Sequence, residues 1–182
     1  MSFCLFLASN APLEALENPH HKTFSINEAK ALGILSQHNP LLSDAIDPDK
    51  PDVISYWDYE VTYQNGCCDG DADDNFGLYP IIPVEEVHQY TEKNYAVSVE
   101  WHYGTVGRAE RIIAYIKKAM EHTDSIELWS VWLSDGEDLD IKRKTLPLSS
   151  LKAEDILSLA SADFRYHPET GFLPAYCIIV KK

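Results

Sequence analysis

The chain has 182 residues, of which 45% are hydrophobic and 24% are charged, and its formal net charge is −14. Its length and composition predict one globular domain over residues 1–182 that buries roughly 70% of the surface of the unfolded chain. The 29 acidic residues against 15 basic residues disfavour binding to nucleic acid, which needs clustered Lys and Arg. The same balance favours cation binding or docking to a basic partner.

The sequence also bears on the cellular compartment. No window approaches about 18 consecutive apolar residues, which excludes a transmembrane helix, and the N-terminus lacks the basic segment of a secretory signal. Four cysteines in a chain of this size do not make a disulfide framework. We therefore expect a cytoplasmic protein with reduced thiols.

The first part of the chain predicts two strands and one helix. The apolar run over residues 2–8 predicts a buried strand. Ser25 and Glu28 have the spacing of a capping box and predict a helix that ends before Pro40. Over residues 52–63, aromatic and β-branched residues alternate with polar ones, which predicts one long strand.

The remaining elements give the fold class. Strands are predicted over residues 94–102, 126–133, 139–146 and 175–182, and helices over residues 84–92, 106–122 and 150–159. In the helix at residues 106–122, Ile112 and Ile116 belong to the predicted apolar stripe, and Arg108 is predicted to lie outside it. The acidic turn at residues 135–138 predicts that its two flanking strands pair as a hairpin. Two prolines in residues 78–83 disfavour a central strand there. The pattern predicts an α+β fold, a mainly antiparallel sheet of about five or six strands with helices packed on one face.

The most unusual stretch is residues 64–75, which holds two adjacent cysteines and four aspartates. Asp69, Asp71 and Asp73 have the spacing that opens a calcium loop. Asp74 replaces the Gly at the sixth position and Pro80 the Glu at the twelfth, which excludes an EF-hand. An irregular Ca²⁺ or Mg²⁺ site and a solvated acidic turn remain as alternatives, so a divalent cation is the candidate cofactor.

The two cysteines of this loop are candidate zinc ligands. Zinc sites generally separate two thiolates by a two-residue spacer, whereas Cys67 and Cys68 are adjacent and point to opposite sides of an extended chain. Buried thiols or a mildly redox-sensitive pair are therefore favoured over zinc. Cys67 stays a candidate metal ligand beside the aspartates, with His20, His21 and His88 as further ligands.

A second candidate site follows from strand parity. Asp58 and Glu60 project from one face of their predicted strand, and Glu100 and His102 share one face of another. If the two faces coincide, the carboxylates and the imidazole could perform acid–base catalysis or hold a metal. The alternative is that they form the solvated side of a sheet whose other side packs the helix at residues 106–122.

Three stretches resemble a set of small uncharacterised bacterial proteins. They are residues 3–9 (Phe-Cys-Leu-Phe-Leu-Ala-Ser) followed by Pro12, the turn at residues 66–70 (Gly-Cys-Cys-Asp-Gly), and the Trp-containing strand before the acidic turn at residues 132–138. In those proteins the first turn resembles Gly-Cys-Gly-Cys, from which this chain departs in its second Gly and in its aspartates. The resemblance implies no activity.

Three hypotheses of function follow. The leading one is an acidic binding protein that docks a basic partner, as an immunity protein or an inhibitor does. The second is a protein that binds a divalent metal at residues 67–75. The third is an enzyme that uses the carboxylate and histidine face; the common nucleophile, phosphate-loop and zinc-protease motifs are all lacking in the sequence.

Overall fold

The computed structural model describes residues 2–35, 46–58, 62–64, 67–69, 72–101, 104–133, 141–160 and 175–182. Contacts between Cα atoms divide the chain into two compact units. Met1–Glu17 and Ala72–Lys182 form the first, named here the sheet unit, and Asn18–Asp71 form the second, named the small unit. The expectation of a single domain stays a prediction.

The elements have the following bounds. In chain order, the described strands are β1 (Ser2–Ser9), β2 (His21–Phe24), β3 (Ile54–Trp57), β4 (Thr62–Gln64), β5 (Cys67–Asp69), β6 (Gly77–Pro80), β7 (Tyr95–Glu100), β8 (Ser125–Leu133), β9 (Ile141–Pro147) and β10 (Ala175–Lys181). The helices are α1 (Ile26–Ala31), α2 (Val106–Ala119) and α3 (Ala153–Ala160), with 3₁₀ turns at Val84–Val87 and Leu148–Ser150. No helix among the described residues has the length and apolar character needed to cross a bilayer.

The sheet unit contains a six-stranded sheet in the order β6-β7-β1-β8-β10-β9. Every neighbouring pair is antiparallel except β9 and β10, which run parallel. The predicted α+β class with a mainly antiparallel sheet of about six strands is therefore confirmed. Pro80 ends the edge strand β6, in agreement with the rule that proline is tolerated at a sheet edge.

Apolar residues on the two sides of this sheet form separate hydrophobic clusters. The first cluster takes Leu5 and Leu7 from β1 together with the apolar stripes of α2 and α3, namely Ala109, Ile112, Ile113, Ile116, Ile156 and Leu159. The second takes Phe6 and Ala8 from β1, with Val87, Tyr90, Ala96, Trp129, Val131, Ala175 and Cys177. Because successive side chains of a strand point to opposite sides, β1 contributes to both clusters.

The predicted hairpin between the strands at residues 126–133 and 139–146 is wrong. β9 does not pair with β8, because β10 lies between them and pairs with both. A parallel pair cannot be closed by a short turn and needs a crossover connection. Here the connection from β9 to β10 carries α3.

In the small unit, the predicted helix start is confirmed. The Ser25 hydroxyl accepts a hydrogen bond from the Glu28 backbone N–H at 3.2 Å, and the Ser25 N–H donates to Glu28 Oε2 at 2.8 Å. Both halves of the capping box are thus present and begin α1.

The long strand predicted over residues 52–63 is wrong. β3 covers only Ile54–Trp57 and pairs antiparallel with β2, while β4 pairs with β5 in a separate two-stranded sheet. Asp52 has a φ of 59°, a left-handed conformation that a strand cannot continue through. The strand β2 was not predicted, because four residues are too few for a clear alternation.

Candidate functional site

The structure places the candidate metal ligands in different parts of the chain. Cys67 and Asp69 lie on β5, which belongs to the small unit, and Asp73 belongs to the sheet unit. Asp71 lies outside the described residues. Within the part of the chain that the structure describes, no group of three or more His, Cys, Asp and Glu side chains is placed to hold a metal ion. The metal site therefore stays a prediction.

Asp73 has a structural contact instead. Thr105, the N-cap residue of α2, donates from its hydroxyl to Asp73 Oδ1 at 3.4 Å. A Cβ atom on Gly107 would lie 2.0 Å from the Asp73 carboxylate, so a larger residue at position 107 would require this carboxylate to move. A carboxylate at this position is stabilised by the partial positive charge of the first helical turn.

The four residues of the second predicted site are only partly described. Asp58 follows β3 in the small unit, and Glu100 ends β7 in the sheet unit; both are exposed. Glu60 and His102 lie outside the described residues. Asp58 forms an ion pair with Lys22 of β2, and the hydrogen bond from Lys22 lowers the pKa of Asp58. The shared catalytic face is thus untested and stays a prediction.

Cys4 and Cys177 lie on β1 and β10, which are separated by β8. In the sheet register Cys4 is opposite Val131, and Cys177 is opposite Trp129. Burial, with a contribution from the carboxylate of Glu100, raises the pKa of the Cys4 thiol to about 11. Burial raises that of Cys177 to about 12. Both thiols are therefore protonated at neutral pH and poor nucleophiles.

Arg108 was expected on the solvated side of α2, and that expectation is wrong. Its side chain is fully buried, and its Nε donates to the carbonyl of Ala72 at 3.2 Å. The signal was present in the sequence, because Arg108 precedes Ile112 by four residues and Ile116 by eight, a spacing that lies on the apolar stripe. The guanidinium thus ties the start of α2 to the chain segment before Asp73.

The acidic side chains are distributed over the surface of both units. Every acidic residue whose exposure the structure describes is exposed, apart from Asp74, Glu127 and Asp155, which are half-buried. Asp155 receives a hydrogen bond from Lys144 Nζ at 2.8 Å. The large negative charge thus faces solvent.

Glu127 departs from this surface pattern and organises a polar site that the sequence did not reveal. It lies on β8, and its Oε2 accepts hydrogen bonds from Thr91 Oγ1 at 2.7 Å and from Trp129 Nε1 at 2.8 Å. Both donors belong to buried residues. The strand alternation could have indicated this site, because Glu127 lies on the same side of its strand as the core residues Trp129 and Val131.

A guanidinium lies over the ring of Trp129. Arg143 of β9 is paired in register with Cys177 of β10, which is in turn opposite Trp129. Its guanidinium carbon is 5.5 Å from the centroid of the Trp129 ring, within cation–π distance. The ring is held in place by Phe6, which stacks on it at 6.0 Å with an interplanar angle of 9°.

These groups line a cavity of about 460 Å³ in the sheet unit, named here the Glu127 cavity. Its charged lining residues are Glu92, Lys93, Glu127 and Arg143, and the exposed His88 also lines it. Lys93 Nζ donates to Ser125 Oγ at 3.2 Å. The Glu127 cavity therefore presents charges of both signs in one concave site, which is the arrangement expected for recognition of a small polar molecule.

Comparison with protein-family models, with curated proteins and with solved structures gives no significant match. The resemblance to small bacterial proteins in the turn and strand motifs therefore stays a prediction. Function is argued from the residues of this chain alone.

Proposed function

We propose that this protein is a binding protein that docks a basic partner through its acidic surface, with an immunity-type or inhibitor interaction as one instance. The observation that carries the proposal is the exposure of nearly all described acidic side chains in a chain of net charge −14. Such a field accelerates association with a cationic partner and disfavours polyanions such as nucleic acid. The free thiols of Cys4 and Cys177 are compatible with a reducing cytoplasmic location.

One region of the sheet unit has the composition of a docking surface. Ile82 is 83% exposed, and Glu85 and Glu86 follow it on the 3₁₀ turn as exposed residues. These three residues follow Pro80, the last residue of the edge strand β6. We name Ile82, Glu85 and Glu86 the acidic end.

The acidic end combines the two features that protein interfaces use. An exposed aliphatic side chain offers apolar area to a partner pocket, and surrounding charges set the association rate and the choice of partner. Because the charges are exposed, their effect is screened by salt over about 10 Å at 0.1 M ionic strength. Binding through this surface is therefore expected to weaken strongly as salt is added.

A charge-matched comparison tests the proposal. In the test variant, Glu85 and Glu86 are changed to Gln, and in the control variant the exposed Glu110 and Glu121 are changed to Gln. Immobilised wild type and both variants are incubated with cell extract at low and high salt, and any enriched protein is then purified. Its association rate constant is measured by biolayer interferometry over a salt series.

We expect a basic protein to be enriched by the wild type and the control but not by the test variant. Its association rate constant should fall by roughly tenfold or more as ionic strength rises from about 0.05 to 0.5 M. Equal enrichment by both variants, or a rate constant that does not respond to salt, contradicts docking through the acidic end. Failure to enrich any basic protein at low salt contradicts the proposed function as a whole.

A further inference from the structure

The Glu127 cavity contains opposite charges that the fold keeps apart. Glu127 Oε2 accepts two hydrogen bonds, from Thr91 and Trp129, whereas Oε1 has no hydrogen-bond partner among the described residues. Arg143 contacts the Trp129 ring and forms no ion pair or hydrogen bond within the described part of the chain. A structural ion pair would bring the carboxylate and guanidinium within 4 Å, and these two groups do not form one.

The two charges nevertheless lie on the same side of the sheet, on either side of β10. Both charges act on the Cys177 thiol. Burial has the largest effect on the pKa of this thiol and raises it, Glu127 raises it further, and Arg143 lowers it. Strand register gives the same arrangement, with Arg143 opposite Cys177 and Cys177 opposite Trp129. The Trp129 indole thus contacts both charged residues, since its N–H donates to Glu127 and its ring lies under Arg143.

Contact with the ring positions the guanidinium without using its hydrogen-bond donors. An Arg side chain has five N–H donors in the plane of the guanidinium, in a geometry that matches a carboxylate. The free lone pairs of Glu127 Oε1 are suited to a charged amine. The cavity thus offers one site for an anionic group and, separated from it, one site for a cationic donor.

We propose that the Glu127 cavity binds a small zwitterion of the amino-acid class. The carboxylate of the ligand pairs with Arg143, and its protonated amine donates to Glu127 Oε1. Lys93 adds positive charge to the cavity wall. A ligand that carries both charges neutralises both walls, so neither protein charge is left desolvated and unpaired when water is displaced. A cavity of about 460 Å³ is within the size range of small-molecule sites.

Ligand chemistry tests this proposal on the unmodified protein. The probes are a series of ω-amino acids from glycine to 6-aminohexanoate, with butyrate and butylamine as analogues that carry only one charge. Each is titrated into ¹⁵N-labelled protein while the indole N–H signal of Trp129, assigned with Trp129→Phe, is followed by NMR. The spacing between the two protein charges should select one chain length in the series.

We expect the amino acid of the selected chain length to shift the Trp129 signal. Its affinity should be about tenfold or more higher than that of butyrate or butylamine. Binding of butyrate or butylamine as tight as that of every amino acid overturns two-point recognition. The absence of any shift of the Trp129 signal up to about 20 mM probe, an affinity weaker than the millimolar range, overturns the site.

Charge-neutralising variants assign the two ends of the ligand. Arg143→Gln should remove the preference for the amino acid over butylamine, and Glu127→Gln should remove the preference over butyrate. Lys142→Gln is the matched control, because Lys142 is the sequence neighbour of Arg143 and lies over the ring of Tyr176 instead. Glu127→Gln keeps an oxygen acceptor for Trp129, and thermal unfolding verifies that each variant is folded. If both variants bind the probes as the wild type does, or if Lys142→Gln loses binding equally, the assignment is wrong.

Discussion

Replacement of Glu127 by Leu is expected to destabilise the protein through the hydrogen-bond donors that lose their acceptor. Trp129 and Thr91 donate to the same carboxylate oxygen at 2.8 and 2.7 Å. Their residues are 1% and 4% exposed, so neither donor is freely hydrated in the folded state. A buried donor without a partner costs about 1–3 kcal/mol.

Most of the destabilisation expected for Glu127→Leu comes from the indole N–H, which loses its acceptor. The Thr91 hydroxyl can rotate, and its oxygen already accepts from the Lys93 backbone N–H at 3.2 Å, so it contributes the smaller part. The indole N–H is fixed by the packing of Trp129 against Phe6 and Tyr90. We therefore expect Glu127→Leu to lower the free energy of unfolding by about 2 kcal/mol. This corresponds to a fall in melting temperature of roughly 4–8 °C for a chain of this size.

Urea unfolding followed by far-ultraviolet circular dichroism measures this effect independently of tryptophan emission. Glu127→Gln is the control, because its amide oxygen still accepts from the indole, and we expect it to cost less than half as much as Glu127→Leu. A double-mutant cycle with Trp129→Phe should give a coupling energy of about 1–2 kcal/mol. A coupling energy near zero, or equal losses for Leu and Gln, would refute the reasoning that the indole bond holds this carboxylate.

Two further predictions concern α2 and α3. Desolvation raises the pKa of Asp155, but hydrogen bonds from the Lys144 ammonium and the Lys152 backbone outweigh it and lower the pKa overall. Stability from a lowered pKa is present above the unfolded value of about 3.9 and is lost as pH falls through the folded value. Asp155→Asn should thus cost about 0.5–1 kcal/mol near neutral pH in urea unfolding, and a loss that persists in strong acid would contradict this. Thr105→Ala should remove the hydrogen bond from the Arg108 backbone N–H at 3.1 Å and cost about 1 kcal/mol, whereas Thr105→Ser, which keeps the oxygen, should stay within a few tenths of the wild-type value in the same assay.

Local chemistry explains which elements were predictable. The α1 helix begins at Ser25 because the Ser hydroxyl and the Glu28 carboxylate satisfy backbone N–H groups within four residues of sequence. The apolar stripe of α2 recurs at the helical period, and it buries Ile112 and Ile116 as expected. The strand at residues 126–133 and its observed counterpart Ser125–Leu133 agree for the same reason, since their pattern is set by neighbours in sequence.

Predictions failed where a tertiary contact or the backbone conformation decided the structure. Arg108 was assigned to solvent by its charge, yet it is buried with its Nε bonded to the carbonyl of Ala72. Residues 52–63 were assigned to one strand by alternation, yet Asp52 takes a left-handed backbone conformation and β3 starts at Ile54. In both cases a tertiary contact or backbone constraint outweighed the intrinsic preference of the residue.

The sequence by itself determined the strong negative charge, the α+β class and the approximate bounds of the long regular elements, because these depend on composition and short-range periodicity. Only the tertiary structure decided that β10 lies between β8 and β9. The full order β6-β7-β1-β8-β10-β9 places β8 between the strands of Cys4 and Cys177. It also brings Arg143 over the ring of Trp129, whose N–H donates to Glu127. Strand order depends on long-range pairing, which hydrophobic alternation along a single strand does not encode.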